Sequence, residues 1–336
     1  MDWISITAVA ILILLWLLWR NYRYGGIEKV RRESRSVRSD RHSGVCKSPS
    51  CARCQSQAHD ATLIKQQLMD SFIKHKQEVF NSDSSQQPVE NPLPRVLHTI
   101  NSIDNKLEIL WQCYDESGYE FDSSELQPHI WWMPGLNRSA FWNVSDHLEL
   151  QELAAVFESL KTLELLQLEY TSACSKPLQW KENSVPNGSW QIFHLYDQGC
   201  RVSRNCSVCP QTMAFLDSVP GLMRGCVYGN AMISVLGAGS EIEAHTGPCN
   251  FRLRCHLALT ESDNYMIQVG SEVRSWELGK LMVFDDSFVH RVWHEGGQGD
   301  KERVVLIFDV WHLDVRLEER HSLKHLFHSD HSWYEH

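Results

Sequence analysis

Residues 303–311 read RVVLIFDVW, a short apolar run with one charge inside it, and the composition is that of a β-strand. Similar runs lie upstream: SFVHRVW (287–293), KLMVF (280–284), YMIQV (265–269), FRLRCHLAL (251–259), AMISVL (231–236) and WQIFHLY (190–196). Turn-forming stretches separate them, among them GAGS (237–240), ESDN (261–264) and HEGGQGD (294–300). Seven such strands with no helical pattern between them predict an antiparallel jelly roll or barrel rather than a parallel sheet. A fold of that kind points side chains inward from its mouth, where a metal can sit.

Ahead of the strands, Leu148, Leu150, Leu153, Val156, Phe157, Leu160 and Leu163 form an apolar stripe. The stripe predicts a helix over about 146–169, N-capped by Ser145 and packed on the sheet. A second amphipathic helix is expected over 61–80. It falls in a charged, serine-rich linker, residues 20–91, which also holds Cys46, Cys51 and Cys54 in CKSPSCARC. That island could bind zinc, form a disulfide or carry lipid, and no second cysteine pair at ribbon spacing follows it. Residues 3–19 carry no charged side chain, and a helix over them just crosses a thin bilayer, so a single transmembrane anchor in the lipid bilayer is expected there. The division is thus an anchor (1–19), a linker (20–91) and one domain (92–336), with its jelly roll at about 186–312.

The charge pattern leaves the orientation of the anchor contested. Arg20, Arg23, Lys29, Arg31, Arg32, Arg35 and Arg38 follow the span and only Asp2 precedes it, which by the positive-inside rule keeps the body cytosolic. Four N-x-S sequons, beginning at Asn137, Asn143, Asn187 and Asn205, point to a lumenal body instead. A formal charge of −10 argues against a general nucleic-acid binder, and no nucleic-acid partner is expected. Eleven cysteines in 336 residues are too sparse for a small disulfide scaffold, although Cys200, Cys206 and Cys209 stand close together in CRVSRNCSVC.

Two histidines, His245 and His290, each stand at an end of a predicted strand, and two His with open coordination positions suit non-haem iron(II). With 17 His in the chain, such a pair means little alone. Its setting means more. HTGPCNFRLRCHL (245–257), DDSFVH (285–290), an arginine thirteen residues after His290, and HIWWMPG (129–135) resemble the aspartyl/asparaginyl β-hydroxylase family. The resemblance runs from about Trp190 to Trp311 and more loosely back to His98.

It implies a mainly β fold, a double-stranded β-helix (jelly roll, cupin-like) with flanking helices. It also implies an Fe(2+) enzyme using 2-oxoglutarate and O2 as co-substrates, with His245 and His290 as metal ligands. The usual triad has a carboxylate two residues after its first His; here that place is Gly247, as is normal in this family. By the same resemblance Arg303 meets the distal carboxylate of 2-oxoglutarate, and Ser234, Trp190, Arg254 and His256 add contacts. Asp285 and Asp286 are expected to cap a turn, and Cys206 lies where a family disulfide begins. The partner implied is a protein substrate, such as an EGF-like domain, met in the secretory lumen by a membrane-anchored enzyme. A non-catalytic jelly-roll binding protein is the alternative. No period of about 34 residues marks helical repeats.

Overall fold

Among the described residues, side-chain alternation along twelve strands builds two antiparallel sheets. The computed structural model describes residues 65–66, 68–74, 94–101, 131–155, 160–174, 180–261, 264–297 and 300–328. The span expected over 3–19, Cys46, Cys51, Cys54 and most of the linker lie outside the described residues. Among the described residues, no helix is long and apolar enough to cross a membrane.

The strands are β1 (Phe141–Trp142), β2 (Lys181–Asn183), β3 (Trp190–Asp197), β4 (Cys200–Arg201), β5 (Ala231–Leu236), β6 (Glu241–His245), β7 (Arg252–Ala258), β8 (Tyr265–Val269), β9 (Glu272–Ser275), β10 (Leu281–Phe284), β11 (His290–His294) and β12 (Arg303–Trp311). The helices are α1 (Pro94–Asn101), α2 (Leu148–Ala155), α3 (Leu160–Cys174), α4 (Ser203–Cys206), α5 (Pro210–Ser218) and α6 (Leu317–Leu326). The large sheet runs β1-β10-β7-β12-β5-β3-β2, with β4 beside β3, and the small one runs β6-β11-β8-β9. From β5 onward, consecutive strands are dealt between the sheets in the order of a jelly roll.

β12 is buried at all nine positions because both of its faces are covered. Val304, Leu306, Phe308 and Val310 join Leu253, Cys255, Leu257, Ile233 and Val235 in a core with Leu150, Leu153, Leu166, Met213 and Leu216 of the helices. On the opposite face, Val305 and Ile307 meet Ile242, Tyr265, Ile267, Val269 and Val292 of the small sheet. The large sheet is therefore the middle of three layers, and period-2 alternation sends Arg303, Ser234, Arg252, Arg254 and His256 toward the small sheet.

At one end, Trp131, Tyr228, Phe251 and Phe327 pack together, and α1, α6 and the helical residues around Leu68 and Phe72 cover them. Arg95 of α1 donates from Nε to Glu319 of α6 at 2.9 Å, tying two elements 224 residues apart.

Two local readings need correction. The helix expected over 146–169 is a 3-10 turn at Val144–Asp146 followed by α2 and α3, and Ser145 does not cap it. Its hydroxyl instead bonds the Asp146 carboxylate at 2.9 Å. The strand region is also not free of helices, since α4 and α5 separate β4 from β5. The amides that open α5, at Gln211 and Thr212, donate to Glu169 of α3, forty-two and forty-three residues away. That cap satisfies the helix end from a distance, so no local signal announces it.

Candidate active site

β6 ends at His245 and β11 begins at His290, and the register sets these residues directly opposite each other. Their ring centroids lie 4.2 Å apart. Each Nδ1 faces a backbone carbonyl two residues earlier: Glu243 at 2.8 Å for His245 and Phe288 at 2.9 Å for His290. A carbonyl only accepts, so Nδ1 carries the proton and Nε2 keeps its lone pair. Burial, with the neighbouring His245 adding to it, lowers the pKa of His290 to about 3, which keeps its imidazole neutral at physiological pH. Two imidazoles pinned through Nδ1, with Nε2 the remaining ring nitrogen on each, are oriented as a divalent metal requires of histidine ligands. Among the described residues, no group of three or more His, Cys, Asp or Glu side chains is placed to hold a metal ion.

Gly247 has a steric reason to lack a side chain. A Cβ there would sit 2.5 Å from the carboxyl carbon and both oxygens of Asp286. The Gly247 amide donates to the Asp286 carbonyl at 2.5 Å, so the two backbones are pressed together.

Asp285 and Asp286 part company. Asp285 does cap the turn, accepting from the Ser287 amide at 2.9 Å and from its hydroxyl at 2.6 Å. Asp286 does not. It is fully buried and accepts from Arg252 through both carboxylate oxygens, with Arg254 Nη1 at 3.3 Å. Asp309 on β12 completes the network, accepting from Arg254 at 2.9 and 3.1 Å and from Arg252 at 3.3 Å. Burial alone would raise the pKa of Asp286, but the two guanidiniums overcome it and hold the carboxyl well below the usual range. Two cations and two anions thus form a neutral, rigid patch beside His290.

Arg303 is treated differently. It is 1% exposed, and no carboxylate of the described residues pairs with it. Its Nη2 donates to Ser234 Oγ at 3.2 Å, its guanidinium lies 4.5 Å over the Trp276 ring, and its Nε has no partner. Burial pushes its pKa down to about 10, which leaves it a cation at neutral pH. Ser234 Oγ also accepts from Trp190 Nε1 at 3.0 Å. With both lone pairs engaged, its own proton remains to donate.

His256 Nδ1 faces the Trp276 indole N–H at 3.3 Å and so must be the acceptor. Its Nε2 then carries the proton, and that buried atom has no partner. Burial, reinforced by Arg303 and Arg254, keeps the ring neutral. A cation, a hydroxyl and two orphaned N–H donors, gathered around Trp276 on one face of the large sheet, are the donor set that an anion requires.

The structure places Trp190, Ser234, His256 and Arg303 in one cluster and sets His245 opposite His290 in register. Arg254 shares their sheet face, but its guanidinium is committed to Asp309 and Asp286. Sequence reasoning missed Trp276, Asp286 and Asp309. Two arginines on one face of β7 were the available signal, since buried guanidiniums require carboxylates. Cys206, Cys226, Cys249 and Cys255 are buried thiols, and Cys206 Sγ donates to the Leu195 carbonyl at 3.2 Å.

Several known proteins are similar to this chain. Residues 151–313 match the family model described as Aspartyl/Asparaginyl beta-hydroxylase. Human aspartate beta-hydroxylase domain-containing protein 2 is 38% identical over 204 residues, which is 60% of this chain and 55% of the relative. Human aspartyl/asparaginyl beta-hydroxylase is 37% identical over 143 residues, 42% of this chain and 18% of the relative. The chain thus spans about half or less of the length of these curated relatives. Among solved structures, a 2OG-Fe(II) oxygenase from Burkholderia pseudomallei aligns with 55% of this chain and 95% of its own at 13% identity and a TM-score of 0.34. A Pseudomonas putida prolyl-4-hydroxylase aligns with 48% and 98% at 16% identity and a TM-score of 0.30. Residues 151–313 thus carry a sequence match to the aspartyl/asparaginyl β-hydroxylase family.

Proposed function

We propose that the chain is an Fe(II)- and 2-oxoglutarate-dependent dioxygenase that hydroxylates an aspartyl or asparaginyl side chain of a protein. The observation that carries this reading is Arg303, a buried guanidinium with no carboxylate partner among the described residues, in the same sheet layer that faces two in-register, lone-pair-bearing histidines. A dicarboxylate co-substrate supplies the missing anion.

In this reading His245 and His290 hold the metal through Nε2. Iron with 2-oxoglutarate and O2 supplies the redox chemistry, oxidative decarboxylation to succinate and CO2 coupled to C–H hydroxylation. The chain contributes the rest. Arg303 and the Ser234 hydroxyl hold the distal carboxylate, while Trp190 and Trp276 wall the pocket and keep it dry, which strengthens each charge-assisted bond. The His256 Nε2 proton donates to a co-substrate oxygen. Arg252 and Arg254, locked by Asp286 and Asp309, keep the neighbouring charge fixed and need no rearrangement during turnover.

The membrane anchor over 3–19 and a lumenal, secretory-pathway body belong to the same proposal, supported by the sequons and the family. An EGF-like substrate domain rests on family analogy alone.

The test is anaerobic titration of the purified chain with iron(II) and 2-oxoglutarate, followed by succinate measurement in air. Arg303→Ala is expected to weaken 2-oxoglutarate binding on the order of 100-fold while leaving iron binding intact. His245→Ala is expected to lose iron binding first. A folded protein that binds neither ligand would leave the non-catalytic jelly-roll reading in its place.

A further inference from the structure

The four sequons are not equivalent in the fold. Asn205 lies in α4, is 2% exposed, and donates its Nδ2 to the His194 carbonyl at 2.7 Å. Asn137, Asn143 and Asn187 are all exposed. Asn143 directly follows β1, and Asn187 stands in the turn that joins β2 to β3. Among the described residues, β1 and β2 are the terminal strands of the large sheet.

Open sheet edges present unpaired backbone N–H and C=O groups and invite strand-to-strand association. β1 is buried at both of its positions, so its edge is already covered, whereas β2 is exposed at Lys181 and Glu182 and borders the exposed Asn187. The β2–β3 turn is also built to stand out. Gly188 has φ of 74°, and a Cβ there would sit 2.1 Å from Ser240 Oγ, so the chain packs tightly on the inner side of Asn187 and leaves that side chain outward.

We infer that Asn143 and Asn187 are N-glycosylated and that the glycan at Asn187 covers the open β2 edge of the large sheet, with Asn137 a third acceptor and Asn205 unmodified. This rests on the lumenal reading above. In the step, the asparagine amide nitrogen displaces the diphosphate of a lipid diphosphate-linked oligosaccharide. An N–C1 bond forms, the C1–O bond breaks, and the amide proton leaves to a base of the transferase. At Asn205 a glycan would have to displace the bond to His194 and open the packing around Cys206, which the fold does not permit.

The test is expression of the full chain in a secretory-competent cell with an added C-terminal acceptor sequon. Asn→Gln variants are made singly at the four positions. Peptide N-glycosidase treatment is expected to collapse the band, and N137Q, N143Q and N187Q each to remove one mobility step while N205Q removes none. N187Q is expected to self-associate in light scattering where the parent stays monodisperse. A glycosylated tag with bare Asn143 or Asn187, or a glycan on Asn205, overturns the site assignment and leaves the topology standing. An unmodified tag overturns the topology, and this inference with it, but not the enzyme reading. Occupied sites with N187Q as monodisperse as the parent overturn the edge-covering role.

Discussion

At the scale of single residues, the sharpest constraint is the contact between Gly247 and Asp286. Any Cβ at 247 overlaps a carboxylate already held by Arg252 and Arg254, so that carboxylate cannot simply step aside. Gly247→Ala is expected to destabilise the fold by about 1–3 kcal/mol, measured as a shift in the urea midpoint. Gly247→Asp, which would restore the usual triad, is expected to be worse rather than better. Asp285 offers a pH signature. Burial, despite hydrogen bonds from Ser287, pushes its pKa from 3.8 up to about 7, so the folded state holds this proton more tightly than the unfolded chain. Its contribution is present in full at acid pH and is lost as pH rises from about 4 through 7. Asp285→Asn is therefore expected to gain on the order of 1 kcal/mol relative to the parent at pH 8 and nothing at pH 4. Denaturation at the two pH values decides it.

At the scale of elements, the two faces of the large sheet do separate work, and paired substitutions on adjacent strands expose this. Leu306→Ala, on the helix-covered face of β12, is expected to cost about 2–5 kcal/mol while the affinity for 2-oxoglutarate stays near that of the parent. Ser234→Ala, opposite Val305 on the pocket face of β5, is expected to leave the melting temperature within a few degrees and to weaken 2-oxoglutarate binding roughly tenfold. Strand positions such as AMISVL and YMIQV were legible to the residue because apolar β-rich runs between turn formers have one reading. β6 and β9 were not, since EIEAH and EVRS are polar, half-exposed edges of the small sheet. The same logic separates the site residues. Arg303, Ser234 and the two histidines fall in recognisable motifs, whereas Asp309 meets its arginines through strand pairing and Trp276 meets Arg303 and His256 through packing, which no local pattern reveals. α5 stayed hidden because its cap, Glu169, comes from another helix.

At the scale of the whole molecule, the aromatic end cluster is closed by α1 and α6, and Arg95–Glu319 joins them. Burial works to raise the pKa of Glu319, but hydrogen bonds from Arg95 and Arg316 win and lower it. The stability this contributes is present above the ordinary glutamate value and is lost as pH falls through the depressed one. Glu319→Gln is expected to cost about 2 kcal/mol at pH 7 and to flatten the acid limb of the stability profile, as read by chemical denaturation between pH 3 and 7. β12 carries one more consequence, in the order of events during synthesis. It is the strand that joins β5 to β7, yet it is the last strand made. Until residue 311 has left the ribosome, the large sheet exists as two halves with apolar inner edges exposed. Its closure depends on contacts between residues far apart in sequence, which form slowly. A nascent chain stalled before position 303 therefore holds most of its core residues and none of its finished core, and it is the form of this protein most in need of a chaperone.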